Sequence, residues 1–136
     1  MAKVYTGKVV IPANQMDQYL EAMQAAEEAR APFRQSLEQF NRDFAGFLSA
    51  KYSKKTVRKH TNIIELFIHF ICGYTDVEAI EDITKGMVNS HFRKWYKRKV
   101  WDSSTESDLR VALKKFFLFL ATEKEIKNEK VLAALK

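Results

Sequence analysis

Apolar residues recur at helical spacing along most of this chain. From about Asn14 to Ala31, Met16, Tyr19, Leu20, Met23 and Ala26 share a face, with Glu27 and Glu28 on the wetter side. Pro32 lacks an N–H donor and crowds the preceding turn, so it is expected to end or kink that helix. A second helix runs from Phe33 to about Ala50 on the stripe Phe33, Leu37, Phe40, Phe44, Phe47 and Leu48. Ser53 is placed as N-cap of a third, Lys54 to about Cys72, which Gly73 closes where glycine is favoured. This third helix is apolar around most of its circumference (Val57, Ile63, Ile64, Leu66, Phe67, Ile68, Phe70, Ile71), with one polar stripe of Lys55, Arg58, Asn62, Glu65 and His69. Such a helix belongs at the centre of a bundle.

The acidic loop Tyr74–Asp82 leads to Thr84, a cap for a fourth helix to about Lys99 that buries Met87, Val88, Phe92, Trp95 and Tyr96. Ser103 or Ser104 is expected to cap a fifth, ending near Glu123, with core positions Leu109, Leu113, Phe116 and Leu120 and an opposite face of Ser107, Arg110 and Lys114. Leu118 lies on that polar side, away from the core stripe. Asn128 starts a last short helix, Glu129–Lys136. Only Lys3–Ile11 alternates, as a short strand or tiny hairpin. The pattern predicts an all-α chain with no internal repeat.

At 136 residues, 46% of them hydrophobic and with only 2 Pro and 4 Gly, the chain can bury a core of its own. The apolar run near Ile63–Cys72 is interrupted by Glu65 and His69 and is too short to span a bilayer, so no membrane partner is expected. Met1-Ala2-Lys3 does not open a signal peptide. The single Cys72 fits a reducing, cytoplasmic setting and reads as a packing residue.

Charge is unevenly placed. The first 52 residues balance six Lys/Arg against six Asp/Glu, so the remainder carries the whole net charge of +6. A basic part beside a neutral part points to an anionic polymer. Helix starts offer free N–H groups and a positive dipole end, which suits them to phosphate. One start presents Ser53, Lys54, Lys55, Thr56, Arg58, Lys59 and His60; the other presents Ser104, Thr105 and Ser107 before Arg110 and Lys114. Cations at a helix start oppose its dipole by a few tenths of a kcal/mol each, an arrangement that an anionic ligand offsets. Asn62, one turn beyond Arg58, carries an amide that matches adenine in a major groove. Lys97, Arg98 and Lys99 follow Trp95 and Tyr96, which either stack on a single strand or, as favoured here, belong to the core. The acids Glu78, Glu81 and Asp82 lack His or Cys partners at metal spacing, and no nucleophile–base pair or glycine-rich phosphate loop is present, so neither metal nor cofactor is expected.

Four motifs stand in order. Phe44-Ala45-Gly46-Phe47-Leu48 ends an aromatic-rich helix; Ser53, Thr56 and His60 open the next. Ile80-Glu81-Asp82-Ile83-Thr84 forms a joint, and Leu109 to Leu120 contains Lys114, Lys115, Phe116, Phe117 and Phe119. This series resembles the N-terminal core-binding (SAM-like) domain of tyrosine recombinases, the phage-integrase family, over residues 33–136. The resemblance implies a SAM-like bundle of four to five helices over residues 33–136; residues 1–32 stand before it as an extension, to which the residue pattern gives a helix and the short strand or hairpin. It also implies double-stranded DNA as partner, with a C-terminal catalytic domain or other recombinase protomers beside it. His60 departs from the family's usual aromatic, and residues 1–31 have no counterpart. The family's catalysis uses an Arg, a Lys, a His-x-x-Arg pair and a Tyr in a separate C-terminal domain. None of His60, His69 and His91 is followed by Arg three residues on, so the chain is read as non-catalytic. The alternative is a helical protein-interaction or regulatory module that keeps the fold.

Overall fold

The computed structural model describes residues 12–100 and 104–135. Among them are five α-helices: α1 Met16–Ser49, α2 Lys54–Tyr74, α3 Phe92–Lys99, α4 Glu106–Glu123 and α5 Glu129–Ala134. A 3-10 turn, Ala13–Gln15, leads into α1, another spans Ile80–Asp82, and a π-helical turn, Met87–His91, runs into α3. The chain is all-α, and no strand occurs among the described residues. The expected strand or hairpin at Lys3–Ile11 lies outside them. No described helix is long and apolar enough to cross a membrane.

Helix α2 is central, packing against α1, α3 and α4, while α5 packs on α4. Ile63, Ile64, Phe67, Phe70 and Ile71 are all buried, as the sequence pattern predicts. Phe44 of α1 meets Phe116 of α4 edge-on at 5.3 Å, and Phe67 of α2 meets Phe92 of α3 at 5.1 Å. Burying one such ring is worth roughly 1.5–3 kcal/mol, so the aromatic contacts between helices hold the bundle closed. Trp95 and Tyr96 are core residues, Trp95 lying 5.6 Å from Phe70. Their burial removes the strand-stacking alternative. Cys72 is buried and free.

Three boundaries differ from expectation. Pro32 does not end a helix, because α1 runs through it for 34 residues. The carbonyl that its missing N–H leaves unbonded belongs to Glu28, on an exposed turn where water can reach it. Residues on either side hold the helix in place: Arg30 donates to the carbonyls of Ile71, at 3.2 Å, and Val77, and Phe33 packs on the core. Gly73 lies inside α2, which continues to Tyr74 and ends at extended Thr75. The Thr75 hydroxyl donates to the Ile71 carbonyl at 2.6 Å, which supplies the stop that glycine was expected to give. Thr105, rather than Ser103 or Ser104, caps α4.

The pairs Arg30–Ile71 and Asn41–Thr61 set an antiparallel register between α1 and α2. In that register the residues before about Arg30 lie past the end of α2. Among the described residues nothing covers the anticipated apolar face there, with Met16 42%, Leu20 54% and Met23 51% exposed.

Asn128 closes the far end of the bundle. Its side chain accepts from the Val131 N–H at 3.1 Å, capping α5, and donates to the carbonyls of Ile80 and Ile83, both at 2.9 Å. At 7% exposure, water cannot replace these bonds. Asn128→Ala is expected to lower unfolding free energy by about 2–4 kcal/mol, from the lost cap and the stranded carbonyls. Asn128→Asp keeps the cap but turns a carboxylate toward two carbonyls, so it should be no less damaging. Urea unfolding of both variants checks this; a wild-type-like Asp variant would show that the cap alone matters.

Candidate nucleic-acid interface

Ser53 has extended backbone angles, and its Oγ accepts from the Thr56 N–H at 3.3 Å. The first backbone bond of the helix is Val57 N–H to the Ser53 carbonyl at 3.0 Å. The N–H groups of Lys54 and Lys55 therefore remain at the open end, as expected for a first turn. Lys54, Lys55 and Arg58 are exposed and make no ion pair among the described residues. No acid lies in this first turn.

The α4 start has the opposite character. Thr105 Oγ1 accepts from the Asp108 N–H at 3.1 Å, while Asp108 Oδ2 accepts from the Thr105 N–H at 2.8 Å, a closed capping box. Asp108 Oδ1 also meets Lys59 Nζ at 2.8 Å, tying the two helix starts together. The Lys59 ammonium, followed by the Thr105 N–H, pushes the Asp108 carboxyl down to about 2. Two residues before it, Glu106 pairs with Lys97 at 3.2 Å and Arg93 at 3.1 Å, and its carboxyl is lowered by Lys97 first and Arg93 after it. The first turn of α4 thus sits between the start of α2 and the end of α3. Asp108 standing three residues after Thr105 was the signal for this cap.

The sequence-predicted residues fall into separate settings. Ser53, Lys54, Lys55, Arg58 and Lys59 share one exposed edge, with Thr56 half-buried. His60 lies beneath them at 7% exposure. Its Nδ1 has no hydrogen-bond partner, and the Tyr52 ring stands edge-on 6.4 Å away. Burial first, then the Lys115 and Lys59 charges, holds its pKa below the ordinary histidine value, against the opposing pull of Asp108.

Asn62 opens into a groove of about 890 Å³ between α1 and α2, lined also by Arg34, Glu38, Asn41, Arg42, Glu65 and His69. Arg98 and Lys99 are exposed at the α3 end beside the paired Lys97. Ser104 is half-buried, while Ser107, Arg110 and Lys114 are exposed on α4. Arg110 also reaches the Ala134 carbonyl of α5 at 3.1 Å. Val111 and Leu118 interrupt this face with apolar surface, 41% and 43% exposed.

Sequence reasoning missed a pair at the edge. Lys115 Nζ donates to Tyr52 Oη at 2.8 Å and lies 4.7 Å from the ring centroid. That bond holds the Tyr52 hydroxyl below its ordinary pKa. Lys115 stands seven residues after Asp108, two helical turns along the same side of α4, so helical arithmetic would have placed both toward α2. Tyr52 carried no such signal. Among the described residues, no group of three or more His, Cys, Asp or Glu side chains is placed to hold a metal ion.

The family model described as "Phage integrase, N-terminal SAM-like domain" matches residues 37–124. No curated protein matches, and neither does any solved structure.

The Asp108 arrangement has a pH consequence. Its carboxyl titrates lower in the folded chain than in the unfolded one, so its stabilising effect is complete above about pH 4 and is lost as pH falls toward about 2. Asp108→Asn keeps an acceptor for the Thr105 N–H but loses the charge facing Lys59. The variant is expected to be less stable than wild type at neutral pH, with the gap closing on acidification through that range. Paired urea titrations across pH read it; a gap independent of pH would rule out the charged contact as its source.

Proposed function

Because this chain belongs to the phage integrase N-terminal SAM-like domain family, we propose that it binds double-stranded DNA as the core-binding part of a tyrosine recombinase. It would contribute grip and placement to site-specific recombination, with strand cutting left to a separate catalytic domain. The observation that carries this reading is the α2 start. Two backbone N–H groups, a positive dipole end and the cations of Lys54, Lys55 and Arg58 stand together with no acid in the turn. A phosphate there meets charge and directed donors at once.

The two helix starts play unequal parts in this proposal. Glu106 and Asp108 put negative charge on the first turn of α4, which disfavours phosphate at that point. Lys59 and Lys97 are spent on those acids. The DNA backbone is therefore assigned to the α2 start, flanked by Tyr52 and Lys115. His60 acts from beneath as a neutral support, since a third cation under Lys59 and Lys115 would meet their repulsion. Asn62 faces open space one turn farther along α2 and is the candidate base reader.

Phosphate contacts release counterions, so they appear in the salt dependence of binding. Lys55→Ala and Arg58→Ala are each expected to weaken binding to all duplexes alike and to lower the salt slope by about 1. Lys59→Ala should change the slope less, because Asp108 already holds that ammonium. Mobility-shift titrations at several salt concentrations measure this. Unchanged affinity in the Lys55/Arg58 double variant, with its helical spectrum intact, would favour a protein-docking module instead.

A further inference from the structure

We propose that His60 couples this chain's grip on DNA to pH, its ring taking up one proton when a duplex phosphate seats over Tyr52 and Lys115. This rests on the DNA-binding reading above and concerns the regulation of that same edge.

The buried polar side chains His60, Thr75 and Asn128 differ in how they are satisfied. Thr75 and Asn128 spend their polar atoms on backbone groups at helix ends. His60 Nδ1 bonds to nothing. Buried nitrogens are rarely left so, and a place for a proton that comes and goes is a reason to keep one.

The charges around the ring are out of balance by one. Lys59 precedes it on α2, and Lys115 and Asp108 act on it from α4. Tyr52 faces it from the turn after α1, 6.4 Å away, and Lys51 beside Tyr52 lies 5.5 Å from the Phe47 ring. On α3, Arg93 and Lys97 pair with Glu106. Two cations thus stand against one carboxylate, and burial together with those cations keeps the ring neutral in the free chain. A phosphate on the exposed edge, where Lys115 Nζ meets Tyr52 Oη at 2.8 Å, brings a negative charge close by. It cancels the excess and favours the protonated ring.

A group that titrates higher in the complex than in the free chain adds affinity. That gain is complete below the free-chain pKa and is lost as pH rises through the bound one. In the free chain His60 titrates below the ordinary histidine value, so DNA affinity rises on mild acidification. Asp108, at about 2, stays charged throughout that range, which leaves its contact with Lys59 unaltered.

Mobility-shift titrations of the full chain against a generic duplex at fixed salt test the coupling, with a helical spectrum recorded at each pH. From about pH 7.5 to about pH 5.5, wild-type affinity is expected to rise roughly three- to tenfold, the gain from an upward move of about half a unit to one unit. His60→Gln should flatten the profile, whatever its affinity at neutral pH. His69→Gln, on the polar stripe of the same helix, should keep the rise. In wild type, the His60 ring resonances followed by NMR should titrate about half a unit to one unit higher with duplex than without it. Binding with a flat profile, a rise that His60→Gln retains, or a midpoint that duplex does not move overturns the coupling and leaves the DNA reading standing. Binding at no pH overturns both.

Discussion

Helix α2 sets the terms for everything around it. Its apolar residues occupy nearly the whole circumference, and such a helix is stable only when other helices cover it from several sides. α1, α3 and α4 do so. What stays uncovered is the polar stripe and the N-terminal turn, and those two features carry the candidate interface. A hydrophobic constraint thus determines where charge can be displayed. Lys54, Lys55 and Arg58 are exposed because the rest of α2 has been claimed by the core.

The acids at the start of α4 join that frame together. Asp108 serves three ends through one carboxylate: it closes the Thr105 capping box, meets Lys59 and draws the two helix starts together. Glu106 does the same toward α3 through Arg93 and Lys97. Exposed ion pairs contribute little stability individually, but these fix the positions of neighbouring helix ends. They also sort the cations. Those facing Glu106 and Asp108 are neutralised in place, and those on the first turn of α2 are not.

Periodicity made the bundle legible, because burial of the α2 and α4 stripes repeats every three or four residues and local spacing reports it directly. The caps at Ser53, Thr84 and Asn128 were legible for the same reason, since each bonds within its own next few residues. Misjudged points depended on distant partners or on a competing local bond. Pro32 reads as a stop until Arg30 is seen tied to Ile71 and Val77, 41 and 47 residues away. Gly73 reads as a terminus until Thr75 is seen to end the helix with its hydroxyl. The site was less legible than the fold. The cations could be named from sequence, but which were already paired, and that His60 lies under Tyr52, depends on contacts between helices.

The same long-range tie gives α1 its reach. Without Arg30, a proline at position 32 would be a natural place for the helix to break, and the segment before it would have no fixed direction. Bonded to the end of α2, Arg30 holds the turn just ahead of the proline against the bundle. The 14 residues from Met16 to Ala29 therefore project as a continuation of a packed helix. The exposure of Met16, Leu20 and Met23 follows from where α2 ends.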